Sequence, residues 1–181
     1  MSDDAAGFGD EGQWAFSSDA ALSIQRQTQS DSPGAVTTVT LAPAADYFII
    51  KNFSIGGTIG LDYRKAGDLT GTRFTLGPRV GYNVEISRLL SVWPKLGFSY
   101  AHTNQDYRRG ANVNGVDTTL SASNSSNGIA LNIFVPIMLH PAPHFFAGFG
   151  PFLDTDLSGH NRATVWGFKL TMGGWINKKP A

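Results

Sequence analysis

The chain has 181 residues, 14 basic and 14 acidic side chains, no cysteine, 21 glycines and 12% aromatics. That length suits one domain with its own core; the absence of cysteine excludes a disulfide scaffold, thiolate metal clusters and cysteine catalysis; zero net charge argues against a nucleic-acid partner. The charged fraction is only 15%, below the roughly 25% of soluble domains, yet no window holds the 18 or so apolar residues that a membrane helix needs.

Residues 1–12 carry no periodic pattern and read as a flexible segment. Met1 is read as an initiator on a mature sequence, since Met-Ser-Asp-Asp lacks the basic region and apolar core of a signal peptide. From residue 13 to residue 176 the apolar positions recur at period 2, which is the strand period. Trp14, Phe16, Ala20, Leu22 and Ile24 alternate with Ser17, Asp19, Ser23 and Gln25, and residues 36–50 give a second candidate. Phe53, Ile55, Ile59, Leu61 and Tyr63 alternate with Ser54, Gly56, Thr58, Gly60 and Asp62; Phe74, Leu76, Val80, Tyr82 and Val84 alternate with Thr75, Gly77, Arg79, Gly81, Asn83 and Glu85. Val92, Leu96, Phe98 and Tyr100 stand against Lys95, Gly97, Ser99 and Ala101, and Ile129 to Leu139 opposes Gly128, Ala130 and Asn132. Residues 145–155 and 164–176 complete the set, the last with Trp166, Phe168, Leu170 and Met172 against Gly167, Lys169, Thr171 and Gly173. That makes about eight strands and no helix, with residues 177–181 as a tail.

The two faces decide the fold class. A soluble sandwich turns its large apolar side chains inward and its charges outward. Here the face opposite the large apolar one carries Gly, Ala, Ser, Thr, Asn and isolated charges, the lining of a narrow interior. The broad face must then meet lipid, and a closed antiparallel barrel is the β structure that satisfies its whole backbone in a bilayer. The expected fold is an all-β, eight-stranded, up-and-down transmembrane barrel. Polar stretches at residues 26–34, 64–72, 103–127 and 155–163 read as long loops, and they alternate with short links at residues 51–52, 86–91 and 139–144. Both termini then lie at the short-turn end. Trp14, Tyr47, Phe48, Phe53, Tyr82, Trp93, Phe145 and Trp175 are expected as an aromatic girdle at one rim, and Tyr63, Phe74, Tyr100 and Trp166 at the other. Pro78, Pro94, Pro136 and Pro151 fall within strands, so breaks or bulges are expected there.

The segment PAADYFIIKNFSIGGTIGLDY, followed by FTLGPRVGYNVEISRLLSVWPKLGFSYA, resembles the outer-membrane protein β-barrel family, the small OmpA/OmpX-like barrels of Gram-negative bacteria. The resemblance covers residues 42–101 closely and continues as a pattern to Trp175. It implies eight transmembrane strands in the outer membrane of a Gram-negative bacterium and a filled interior; it implies little about biochemical role. The expected partners are outer-membrane lipid and lipopolysaccharide, and the barrel is expected to be a monomer. The NKKPA extension departs from the family, whose barrels commonly end on an aromatic residue.

The expected lumen charges are Asp19, Asp46, Asp62, Arg79, Glu85, Lys95, Asp154 and Lys169. An unpaired ion in a confined interior costs several kcal/mol, and strand heights pair Glu85 with Lys95, Asp62 with Arg79 and Asp19 with Lys169. Asp154-Thr-Asp-Leu-Ser-Gly opens like a calcium loop, but Val165 holds the closing position, so it reads as a polar turn with no metal. Ser158, His160 and Asp156 could be written as a catalytic set. Neighbours in one loop do not converge as a relay requires, so no catalytic residue, enzyme activity or cofactor is expected. Tyr107, Arg108, Arg109 and Lys65 are either solvated loop charges or contacts to lipopolysaccharide phosphates, whose geometry suits arginine. The leading functional expectation is a structural or surface-interaction role through the loops, above all residues 103–127, with the extracellular ligand unidentified. A narrow channel for small solutes or ions is the alternative; a lipocalin-like binding barrel would need the opposite faces.

Overall fold

A computed structural model describes residues 7–27, 34–66, 69–113, 116–158 and 164–177. Its strands are β1 (Trp14–Gln27), β2 (Gly34–Ile50), β3 (Phe53–Ala66), β4 (Leu69–Tyr82), β5 (Val84–Ser87), β6 (Leu90–Val92), β7 (Lys95–Val113), β8 (Val116–Phe134), β9 (Ile137–Ala142), β10 (Phe145–Asp156) and β11 (Thr164–Ile176). Eight of them close a ring of antiparallel ladders. β1 pairs with β2, β2 with β3, β3 with β4, β4 with β7, β7 with β8, β8 with β10, β10 with β11, and β11 returns to β1 at Trp14↔Ile176. A closed ring has no edge to leave unsatisfied in hydrocarbon. The short β5, β6 and β9 prolong the wall at the short-turn end, where β6 bridges β5 and β9.

Prolines explain part of this segmentation. Each removes a ladder donor, and the strands stop at Trp93-Pro94 and at Val135-Pro136. Pro78 and Pro151 stay within β4 and β10, paired with Gly57 and Phe168, and the register continues across both. At the short-turn end, Asn52 (φ 67°) and His144 (φ 63°) adopt the left-handed conformation that two-residue hairpin turns require.

Two of the expected long loops, residues 64–72 and 103–127, are largely strand, and most of residues 26–34 lies outside the described residues. β3 runs to Ala66 and β4 begins at Leu69, β2 begins at Gly34, and β7 and β8 stay in register from Lys95↔Phe134 to Val113↔Val116. Ser, Thr, Asn and Gly there satisfy a composition rule for loops, but alternating backbone pairing needs no apolar face once the strands stand above the bilayer. The stretch 103–127 is therefore a paired two-stranded ladder continuing past Tyr100, with some 13 residues per strand and a length of roughly 40 Å at the usual strand rise.

The two faces separate as the alternation requires. Phe16, Leu41, Ile59, Leu61, Leu76, Phe98, Phe149, Phe168, Leu170 and Met172 are exposed, forming a belt around the outside, while Ser17, Asp19, Asp46, Ser54, Arg79, Lys95 and Ser99 are buried inside. A belt of that size on a closed barrel is a lipid-facing surface. Glycine admits the closest strand approach inside: a Cβ on Gly77 would collide with the Phe98 carbonyl oxygen.

Candidate functional site

The lumen is stacked in three tiers. At the short-turn mouth lies an aromatic tier made of inward positions from around the ring: Phe48 on β2, Trp93 before β7, Met138 on β9, Phe146 on β10 and Trp175 on β11. The Gly7–Gln13 segment enters it from below, and Phe8 lies within 5.0–5.3 Å, centroid to centroid, of Phe48, Trp93, His140, Phe146 and Trp175. Such edge-on and tilted contacts favour aromatic pairs beyond plain area burial. The segment is pinned by hydrogen bonds: Asn52 N donates to Gly9 O at 2.6 Å, Asn83 Nδ2 to Phe8 O at 3.0 Å, and Gln13 Nε2 to Gly7 O at 2.7 Å and to Asn177 Oδ1 at 2.9 Å. Residues 7–12 are thus packed and not free, because an apolar socket rewards the burial of Phe8 enough to order the chain carrying it.

Directly above is an ionic tier. Arg79 Nε donates to Asp46 Oδ1 at 2.9 Å and Nη2 to Asp46 Oδ2, a two-point clamp; Nη2 also reaches Ser17 Oγ at 3.0 Å and Nη1 reaches Asp19 Oδ2 at 3.1 Å. Lys95 Nζ stands 3.7 Å from Asp19 Oδ1 and 4.1 Å from the Trp93 ring centroid, joining the two tiers. Arginine is the side chain suited to this place, since its rigid fork serves two carboxylates at once.

The third tier is a polar cup of about 800 Å³, lined from Asp19 and Arg79 up to Asn124 and Ser125 of the long hairpin. Its wall is mostly hydroxyl and amide with paired charges. Lys169 donates to Asp154 at 2.9 Å and lies 4.1 Å over the Phe152 ring, Asn132 donates to the other Asp154 oxygen at 2.9 Å, and Arg73 pairs with Asp156 at 2.8 Å.

Of the eight expected lumen charges, Asp19, Asp46, Arg79 and Lys95 gather in the ionic tier, and Asp62, Asp154 and Lys169 lie on the cup wall. Glu85 is exposed: its parity points inward, but β5 lies below the mouth, so it does not meet Lys95. Asp62 accepts from Thr40 instead of Arg79, because Asp62 faces Arg73 across the β3–β4 ladder and Arg79 sits six residues down, about 20 Å away at the usual rise. Lys169 takes Asp154 and leaves Asp19 to Arg79 and Lys95. Lys169→Ala is therefore expected to destabilise the barrel more than Lys65→Ala, which removes an exposed charge. In chemical unfolding, a Lys169/Asp154 double-mutant cycle should show coupling of about 0.5 to 3 kcal/mol, and a Lys169/Asp19 cycle almost none.

The girdle needs a parallel correction. Trp14, Tyr63, Phe74, Tyr82, Tyr100, Phe145 and Trp166 are exposed on the outer face, and Tyr47 and Phe53 are partly exposed. Phe48 and Trp93 are wholly buried and Trp175 nearly so, because all three fall on the inward parity of their strands. Sorting by residue type overrides the alternation there and misplaces them. Sequence reasoning puts Ser17 and Asn83 on the polar inner face without giving them a role, and it does not find Phe8, Gln13 or the Arg73–Asp156 pair; for that pair the inward parity is the available signal. In the calcium-like loop, Asp154 and Asp156 are committed to cations within the barrel. Ser158 Oγ accepts from Ile129 N at 2.8 Å, and His160 lies outside the described residues. Tyr107, Arg108 and Arg109 belong to β7, though their side chains lie outside what is described, and Lys65 is exposed.

No protein-family description matches the sequence, and no curated protein matches it either. Solved structures do match in fold. A major outer membrane protein of Thermus thermophilus aligns with a TM-score of 0.61 and 13% identity over 91% of this chain and 99% of that one. Neisserial surface protein A aligns with a TM-score of 0.55 and 14% identity over 93% and 98%. With its ring of eight strands, apolar outside and polar inside, the chain has the fold of the small outer-membrane β-barrels.

Proposed function

We propose that the protein is an integral outer-membrane barrel of a Gram-negative bacterium, closed to solutes at rest, that presents its long hairpin to the outside. The observation that carries this reading is the pairing of β7 with β8 far beyond the apolar belt: from Ala101↔Gly128 to Val113↔Val116 the ladder continues as a polar, Ser- and Asn-rich arm, built to meet something beyond the lipid headgroups. Lipid and the headgroup region of lipopolysaccharide surround the belt in this reading, and the barrel works as a monomer. The three-tiered lumen supports a barrel that blocks ions.

The chain has no cysteine, which allows a clean test. Ser123→Cys on the arm should be labelled by a membrane-impermeant maleimide on intact cells, and Glu85→Cys only after the outer membrane is permeabilised. Labelling in the reverse order would invert the orientation, and labelling of neither before lysis would remove the protein from the outer membrane. In planar bilayers the wild type should show no large steady conductance, where a narrow passive channel would conduct.

A further inference from the structure

Two tiers stand between the cup and the short-turn mouth, and they differ in kind. The ionic tier has slack. Asp19 Oδ1 and Lys95 Nζ are buried 3.7 Å apart, and among the described residues neither makes a hydrogen bond; Thr171 Oγ1, on the position paired with Asp19, likewise has no hydrogen-bond partner among them. Polar atoms left so, next to a polar cup of about 800 Å³, form a slot suited to water. The aromatic tier also holds buried nitrogens without a partner among the described residues, Trp93 Nε1, Trp175 Nε1 and His140 Nδ1, but its space is filled by rings and a thioether: Phe48, Trp93, Met138 and Phe146 are wholly buried around Phe8. An apolar, close-packed layer excludes water and ions.

The element that completes the aromatic tier is also the one that can leave it. Phe8 comes from the segment ahead of β1, whereas Phe48, Phe146 and Trp175 stand on strands of the wall and Trp93 is held between β6 and β7. Glycines at φ +102° (Gly9) and +83° (Gly12) bend the strap so that Phe8 is lifted into the socket. Apart from its own internal bonds, the strap is held by hydrogen bonds to Asn52, Asn83, Phe48 and Asn177, all at the mouth. No strand pairing need break for it to withdraw.

We infer that the Gly7–Gln13 strap is a displaceable stopper, and that Phe8 in its aromatic socket, and not the Arg79–Asp46–Asp19–Lys95 layer, is the seal between the cup and the short-turn side. Withdrawal of Phe8 opens a wetted path from one side of the membrane to the other for small ions and hydrophilic solutes. This goes beyond a surface role for the hairpin and does not depend on it.

The test compares the two tiers in planar bilayers, with folding confirmed for each protein by its altered mobility on unheated SDS gels. Phe8→Ala, which keeps the backbone bonds of the strap, should lose the seal and give steady conductance where the wild type gives none. Phe8→Leu, which refills much of the socket, should be closed again. The charge-removing pair Asp46→Asn with Arg79→Gln should stay closed. A folded Phe8→Ala barrel that remains closed would overturn the inference, and so would opening by the Asp46/Arg79 pair with Phe8 intact. A second readout leaves the stopper untouched. Thr171→Cys, reconstituted in vesicles of one orientation, should react with a small charged thiol reagent faster from the hairpin side than from the short-turn side, and Phe8→Ala should abolish that difference. A faster reaction from the short-turn side with Phe8 in place would show that the stopper does not seal.

Discussion

Replacing Arg79 by alanine is expected to destabilise the folded barrel by about 3 to 5 kcal/mol, the usual effect of removing one member of a buried ionic cluster. The guanidinium contacts two carboxylates, Asp46 and Asp19, and the Ser17 hydroxyl. Without it Asp46, which is fully buried, loses its only cationic partner among the described residues, and Asp19 is left with Lys95 at 3.7 Å. Arg79→Lys should recover only part of the loss, since an ammonium is a point charge that cannot grip Asp46 at two oxygens and still reach Asp19. Arg79→Ala combined with Asp46→Ala should cost less than the sum of the two single changes, because the second removes the charge that the first left stranded. Urea unfolding of micelle-refolded protein, followed by the unheated-gel assay, reads all four. Equal stability of Arg79→Ala and wild type would mean that water reaches and solvates the carboxylates without help.

This cluster also marks where the sequence is legible and where it is not. Parity alone puts Asp19, Asp46, Arg79 and Lys95 on the inner face, and the same rule puts Phe48, Phe146 and Trp175 there, since their outward neighbours Tyr47, Phe149 and Met172 differ from them by an odd number of residues. What parity lacks is height. Register between strands depends on barrel shear and tilt, which no single strand encodes. Pairing Asp62 with Arg79 therefore bridges a gap of six residues, and parity places Glu85 inside a wall that it lies beneath. Prolines are informative where two of them interrupt the wall, at Pro94 and Pro136, and less so at Pro78 and Pro151, where the strand runs on. Phe8 is beyond reach for a different reason: its segment has no periodicity, and the rings that form its socket, Phe48, Trp93, Phe146 and Trp175, stand between 40 and 167 positions away.

Placing an arginine on the outer belt should disturb the barrel almost as severely as removing one from the lumen. Leu131 lies on the outward parity of β8, in register with exposed Phe98 on β7, with Ile129 and Tyr100 above it and Ile137 and Leu139 below. Neighbouring side chains partly cover it, so Leu131→Arg loses packing as well as solvation of the new charge. The expected cost is about 2 to 4 kcal/mol in a bilayer, the range for a cationic side chain near the midplane. Thr58→Ser, on the cup wall, keeps its hydroxyl and should stay within about 0.5 kcal/mol of wild type. The bilayer thickness supplies an internal control. Because a long arginine side chain reaches the headgroups more easily across a thin hydrocarbon layer, the Leu131→Arg cost should fall in short-chain lipid and rise in longer-chain lipid, while the Thr58→Ser value should not move. A cost that is small and insensitive to lipid length would place Leu131 outside the hydrocarbon and shift the membrane-spanning belt toward the short-turn end.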